Sequence, residues 1–186
     1  VKILRWYTFI YLTFSTKPES VRVFGFIFGI CLFYAIDHMF NQEFKLIHYY
    51  LIIIILAGGI LFSPFYFMFE SYDKILHFLF PILASFIVYH IADRQKVGFQ
   101  WKLLITFMFI ISFLAIHEIG EYLIDLLFDF KLQGVYIRNI SGLEKLNLVL
   151  SAHEDTMIDI ILGFFGGLIF VIWKIIERIY KKNIKN

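Results

Sequence analysis

The chain has 186 residues, enough for one domain of ordinary size, and 60% of them are hydrophobic, with 24 Phe and only 17% charged. With a mean hydropathy of +0.78, that composition excludes an ordinary soluble domain. A net charge of +2, from 17 basic and 15 acidic residues, excludes the broad basic surface of a nucleic-acid binder. The lone cysteine, Cys31, excludes an intrachain disulfide framework and a thiolate zinc cluster within one chain.

In chain order, the stretch Ile3 to Phe14 is apolar and aromatic but carries Arg5 and stops at Ser15-Thr16-Lys17-Pro18. As a helix it would reach only about 20 Å at roughly 1.5 Å per residue, so it either lies in the interface or crosses as a sixth span. It carries no small-residue cleavage pattern and is expected to stay in the protein. Five segments then read as full spans: Val21 to Phe40, Leu46 to Phe62, Ile75 to Ala92, Trp101 to Asp129 and Thr156 to Trp173. Turn and charge signals separate them at Asn41-Gln42-Glu43, Ser63-Pro64 and Asp93-Arg94-Gln95-Lys96. The fold class expected is an all-α, polytopic transmembrane helical bundle, a single integral membrane domain over residues 1–186.

Residues 130–154 form the one long connection, read as an external loop. Leu143, Leu146, Val149 and Leu150 are spaced as the apolar face of a short interfacial helix, placed to cover whatever lies beneath. If Ile3 to Phe14 crosses, eleven Lys and Arg fall on the side of the termini and six on the other; if it does not, the split is nine to eight. The positive-inside rule then favours six crossings in the cytoplasmic (inner) membrane with both termini cytoplasmic.

Polar residues interrupt this pattern in one place. Leu103 to Ile116 supplies fourteen uncharged residues before His117-Glu118-Ile119-Gly120-Glu121 arrives, and about twenty are needed to cross, so the carboxylates enter the membrane. Glu118, Glu121 and Asp125 share one helix face with His117 flanking it. Two further i, i+4 pairs, Asp73 with His77 and Asp155 with Asp159, open the third and fifth spans. The alternation of directions brings all three motifs to the same, extracytoplasmic, face. Asp37 and His38 end the first span on the opposite face and should stand apart.

An unaided acidic residue at a helix centre costs about 2.5–3.5 kcal/mol, so five could cost roughly 12–17, against net stabilities of about 5–15. Protons, basic partners, water or metal ions must compensate them. Lys74, Lys131, Arg138 and Lys145 lie on that side, but none falls inside the fourth or fifth span. The mixture of carboxylate and imidazole therefore points to a divalent metal (zinc, manganese, iron or magnesium) held by Asp73, His77, Glu118, Glu121, Asp155 and Asp159. Within this set, Glu118, Glu121 and Asp159 lie deepest and are the candidate catalytic groups. His117, Asp125, His153 and Glu154 are weaker candidates; His48 and His90 read as interfacial. Gly163, Gly166 and Gly167 read as helix packing and Pro81 as a kink.

These residues carry a resemblance. Tyr72-Asp73-Lys74 with His77-Phe78, then Glu118-x-x-Glu121, then Asp155-Thr156-x-x-Asp159 resembles the YjdF-like family of bacterial inner-membrane proteins, and more loosely VanZ-like proteins, over residues 72–168. Where the YjdF-like pattern has a Gly-Asp element, this chain has Ser151-Ala152-His153-Glu154. The resemblance implies a membrane protein with its site at these positions and names no chemistry.

Three functions fit this sequence. The first is a metalloenzyme acting on a lipid or lipid-linked substrate. The second is a cation- or proton-coupled transporter, against which stands the clustering of the acids at one face rather than the midplane. The third is a structural membrane protein with a stabilising metal. Membrane lipids are the expected partners, nucleic acid is not, and neither the oligomeric state nor the substrate is legible.

Overall fold

The computed structural model describes residues 18–128, 131–138 and 146–185. The stretch Ile3 to Phe14, and Leu143 of the expected loop helix, lie outside them. Among the described residues five α-helices follow one another: α1 (Pro18–Phe40), α2 (Leu46–Leu56), α3 (Tyr72–Arg94), α4 (Phe99–Phe128) and α5 (Ala152–Lys185). Between α4 and α5 stand two antiparallel strands, β1 (Val135–Arg138) and β2 (Leu146–Leu150). Four of the helices, α1, α3, α4 and α5, are long and apolar enough to cross a membrane.

The segment expected as the second span falls short of that length. Beyond Leu56 the helix widens into a π-turn over Ala57–Leu61 and passes into a 3₁₀ turn over Ser63–Phe67. The sequence explains both steps. Gly58 and Gly59 loosen the helix, and a Cβ on Gly58 would stand 2.8 Å from the Phe80 ring of α3. Pro64 then opens the 3₁₀ turn. Sixteen residues rise about 24 Å, short of roughly 30 Å of hydrocarbon. Even so, the segment runs the length of α3 in the opposite direction. The Gln42 carbonyl meets His90 Nε2 at 2.9 Å at one end, and the Tyr72 hydroxyl donates to the Gly58 carbonyl at 2.8 Å at the other.

The region 130–154 also departs from expectation, because Leu146–Leu150 is a strand, paired Val135 to Leu150 and Arg138 to Leu146. A stretch of only five residues, Leu146-Asn147-Leu148-Val149-Leu150, satisfies helical and alternating spacing alike. Here the alternation of Leu146, Leu148 and Leu150, opposite a partner rich in β-branched residues, decides for the hairpin.

Helix α3 is central, packed by α2, α4 and α5. It meets α5 at backbone distance: a Cβ on Gly166 would lie 2.5 Å from the Phe78 carbonyl oxygen. Pro81, one turn on, has no N–H to give the carbonyl of His77. The buried hydroxyls bond within their own helices, Ser85 to the Pro81 carbonyl at 2.6 Å and Thr106 to the Lys102 carbonyl at 2.8 Å.

The end of the bundle formed by the C-termini of α1, α3 and α5 is sealed by Phe33, Phe44, Leu51 and Ile87. Asp37 belongs to it, as expected, accepting from the Tyr49 hydroxyl at 2.5 Å and the Phe44 N–H at 3.1 Å. The His48 and His90 rings meet there at 4.4 Å, tilted by 42°. Glu43 pairs with Arg94 at 2.6 Å, which holds the Glu43 carboxyl below the usual range. Helix α5 continues past Trp173 for about three more turns. Two of its basic residues lie against aromatic rings, Lys174 Nζ 4.5 Å from the centre of Trp173 and Arg178 4.2 Å from that of Phe99.

Candidate metal centre

At the other end, α3 and α5 begin and α4 finishes, so Asp73, His77, Glu118, Glu121, Asp155 and Asp159 do converge. They divide into two groups of different character.

The first is an ion cluster around Lys74. Its Nζ contacts Asp155 Oδ1, lies 2.7 and 2.8 Å from the two oxygens of Asp159, and is 3.2 Å from Asp73 Oδ2. Lys74 lies outside the fourth and fifth spans, as expected, yet it supplies the basic partner that a metal was expected to replace. Lys74 starts in the first turn of α3 and its four-carbon stem carries the charge across to α5. Asp155 and Asp159 are only 2% and 1% exposed. The second oxygen of Asp155 accepts the Gly134 N–H at 2.8 Å. Gly134 holds φ +89°, a conformation open to glycine, and a Cβ there would also stand 2.9 Å from the Leu150 carbonyl oxygen.

The second group is His77, His117, Glu118 and Glu121. Buried side-chain atoms without a hydrogen-bond partner are, among the described residues, Gln42 Oε1, His77 Nδ1 and Glu118 Oε1. The last two face each other at 3.7 Å, from residues only 7% and 5% exposed. His117 Nδ1 stands 3.9 Å from the same Glu118 oxygen and 3.8 Å from Glu121 Oε1. Such separations are too long for hydrogen bonds. The 3.7 Å between His77 and Glu118 falls within the roughly 3.3–3.8 Å between ligands of one ion whose bonds are about 2.0–2.2 Å long at tetrahedral to trigonal angles, and the 3.9 Å between His117 and Glu118 lies just outside it. His77, His117 and Glu118 thus form a set that could hold an ion, as by spacing could Asp73, His77 and Asp159. His77 belongs to both, with Nε2 3.4 Å from Asp73 Oδ1.

A cavity of about 490 Å³ opens beside the second group. His77, His117 and Glu121 line its polar end, and Leu56, Ile60, Phe80 and Ile110 are among its apolar walls. Val135 and Tyr136 of the hairpin close it on one side. Tyr66, from the 3₁₀ turn, also faces it; burial, with Asp73 and Glu121 nearby, drives its phenol well above the usual value.

The weaker candidates are accounted for structurally. Asp125 accepts the N–H groups of Leu132 at 2.9 Å and Gln133 at 2.8 Å, anchoring the strand side of the loop. Glu154 accepts from the Ser151 N–H at 3.1 Å and hydroxyl at 2.7 Å, and its own N–H returns to Ser151 Oγ at 3.4 Å, a capping box for α5. His153 is exposed. Sequence reasoning undervalued His117, 44% exposed yet turned toward both glutamates, and Lys74. The signal for His117 was its i, i+4 relation to Glu121; that for Lys74 was its place inside the Asp73-x-x-x-His77 motif.

Neither a comparison with curated proteins nor one with solved structures gives a match. A family model described as "Predicted membrane protein (DUF2238)" matches residues 3–178, nearly the whole chain. The buried acids and histidines thus lie on membrane-type helices within the matched region, and the chain belongs to this family of membrane proteins.

Proposed function

We propose that this is a metal-dependent membrane enzyme acting on a lipid or lipid-linked molecule, with one divalent ion at His77, His117 and Glu118. The observation that carries the reading is the pair of buried atoms, His77 Nδ1 and Glu118 Oε1, which face each other unbonded at 3.7 Å. Leaving two such atoms bare costs about 1–3 kcal/mol each, and an ion between them removes both deficits. Asp73 beside Nε2 orients the His77 ring, as carboxylates behind metal-bound histidines do. The ion would supply Lewis-acid polarisation and an acidified water. Glu121, facing the cavity beside His117, is placed to hold the proton exchanged with that water.

The cavity supports an apolar substrate: its volume is within the roughly 300–1,000 Å³ of small-molecule sites, and its walls are mostly hydrocarbon. The motif pattern from Tyr72 to Asp159 supports membership of the YjdF-like type. Basic residues gathered around the C-termini of α3 and α5, away from the site, support cytoplasmic termini and a site opening to the extracytoplasmic leaflet. The test is elemental analysis of detergent-purified protein, followed by assay on extracted membrane lipids with and without chelator. Metal should be present, lipid turnover should need it, and Glu121→Gln should abolish turnover, while Asp37→Asn should leave the metal content intact. Absence of bound metal after supply of zinc, manganese, iron and magnesium would refute the reading. Metal-dependent cation flux in vesicles, lost in Glu121→Gln, would replace it with transport.

A further inference from the structure

The two groups of donors that share His77 differ in one respect that decides how many ions this end of the bundle can take. Around Asp73 and Asp159 the carboxylate oxygens are already turned to a cation. Lys74 Nζ sits 2.7 and 2.8 Å from the two oxygens of Asp159 and 3.2 Å from Asp73. Asp155 gives one oxygen to the same ammonium and the other to the Gly134 N–H. Every aspartate of the cluster is thus engaged. Among the described residues no lysine or arginine pairs with Glu118, and two buried atoms there, His77 Nδ1 and Glu118 Oε1, have no hydrogen-bond partner.

We infer that Lys74 is the resident counter-cation of the Asp73, Asp155 and Asp159 cluster, so that the protein takes a single divalent ion at His77, His117 and Glu118, and a second site is latent behind the lysine. This rests on the metal reading above. An ion bound by Asp73, His77 and Asp159 would have to share the Asp159 oxygens with the ammonium. Two positive charges at such a distance in a poorly solvated place repel strongly, and each carboxylate lone pair can serve only one of them. With Lys74 removed, the Asp73, Asp155 and Asp159 carboxylates become an all-oxygen set suited to a hard divalent ion, while His77, whose neutral ring has one lone pair to give, stays with the first ion. The consequence for chemistry is a one-ion centre. It lacks the paired ions, about 3.5–4 Å apart, that clamp a transferring phosphoryl group between them. That favours hydrolysis at a carbonyl or similar ester centre as the reaction class.

The experiment counts metal per chain. Full-length protein in detergent is equilibrated with excess manganese or zinc, gel-filtered and analysed by elemental mass spectrometry. Wild type should hold one ion, Lys74→Met two, and the double variant Lys74→Met/Asp159→Asn one again. Asp159→Asn alone should keep the single ion, because Asp159 serves Lys74 rather than the metal. Two ions in wild type, one in a monodisperse Lys74→Met, or loss of the ion in Asp159→Asn would each overturn the assignment. Should Lys74→Met aggregate without added metal, supply of manganese or zinc during purification should restore a monodisperse two-ion protein. Failure of that rescue, with the double variant well behaved, also counts against it. A wild type that binds no ion at all refutes the metal reading itself, an outcome distinct from any of these.

Discussion

Removing the ion should destabilise the protein by an amount the structure allows to be worked out. Without it, His77 Nδ1 and Glu118 Oε1 are both buried and unbonded, a deficit of about 2–6 kcal/mol at about 1–3 for each atom. A ligand present at a thousand times its dissociation constant stabilises the native state by about 4 kcal/mol, within that interval. For a chain of 150–250 residues each kcal/mol moves the melting temperature by about 2–4 °C, so chelation should lower it by about 8–16 °C. The assay is thermal unfolding in detergent, followed by size exclusion or tryptophan fluorescence, with chelator and then with each metal restored. In Glu118→Gln, a near-isosteric change that removes the charged ligand, the shift should shrink to a few degrees or less. An equally large shift in Glu118→Gln would mean that the metal binds elsewhere. No shift in wild type with any metal would mean that the two bare atoms are simply a flaw tolerated in the core, or are satisfied by water.

Three further outcomes follow from other parts of the fold. Gly166→Ala should cost about 1–3 kcal/mol, as overpacking does, because its Cβ would meet the Phe78 carbonyl oxygen at 2.5 Å; thermal unfolding measures it, and an unchanged midpoint would deny the close contact of α3 and α5. Cysteines at Asn147 and Gly98, with Cys31 replaced, should label with an impermeant reagent from the extracytoplasmic and cytoplasmic sides respectively; the reverse pattern would invert the orientation. Glu43 has its carboxyl lowered by Arg94, so the pair's contribution is present above the ordinary glutamate value of about 4.3 and is lost as pH falls through the lowered one. Glu43→Gln should therefore melt slightly below wild type at pH 7 and level with it in strong acid, and a gap that widened in acid would contradict the pairing.

Much of this architecture is legible in the sequence because hydrocarbon imposes long apolar runs and makes their interruptions conspicuous. Glu118, Glu121 and Asp159 stand out for that reason, and the alternation of helix directions suffices to bring them to one end. What escapes is whatever depends on reach or on short windows. Lys74 stands inside the Asp73-x-x-x-His77 motif, which marks it as near the site, but its spacing does not say that its stem crosses to α5. Leu146–Leu150 is too brief for periodicity to choose between helix and strand. Helix α5 outlasts its apolar run, since Lys174 and Arg178 find aromatic rings to lie upon and the helix has no reason to stop at Trp173. The second segment reads as a span by hydropathy, whereas Gly58, Gly59 and Pro64 set how far the α-helix persists.

The bond between Lys74 and Asp159 also constrains how the chain enters its membrane. The two residues are 85 positions apart, and at about 5–20 residues per second the ribosome needs roughly 4–17 s to make that stretch. Throughout that interval α3 carries a lysine whose principal partners do not yet exist, with only Asp73 beside it. Helix α4 does not supply those partners on arrival, since Glu118 and Glu121 stand nearest His77 and His117 and Asp125 bonds the loop that follows. The favourable course is for α3 and α4 to wait beside the insertion machinery until α5 emerges, and for the three to pass into lipid together. A truncation ending before Asp155 should then remain associated with the translocon or be degraded, whereas one ending just after Trp173 should be released.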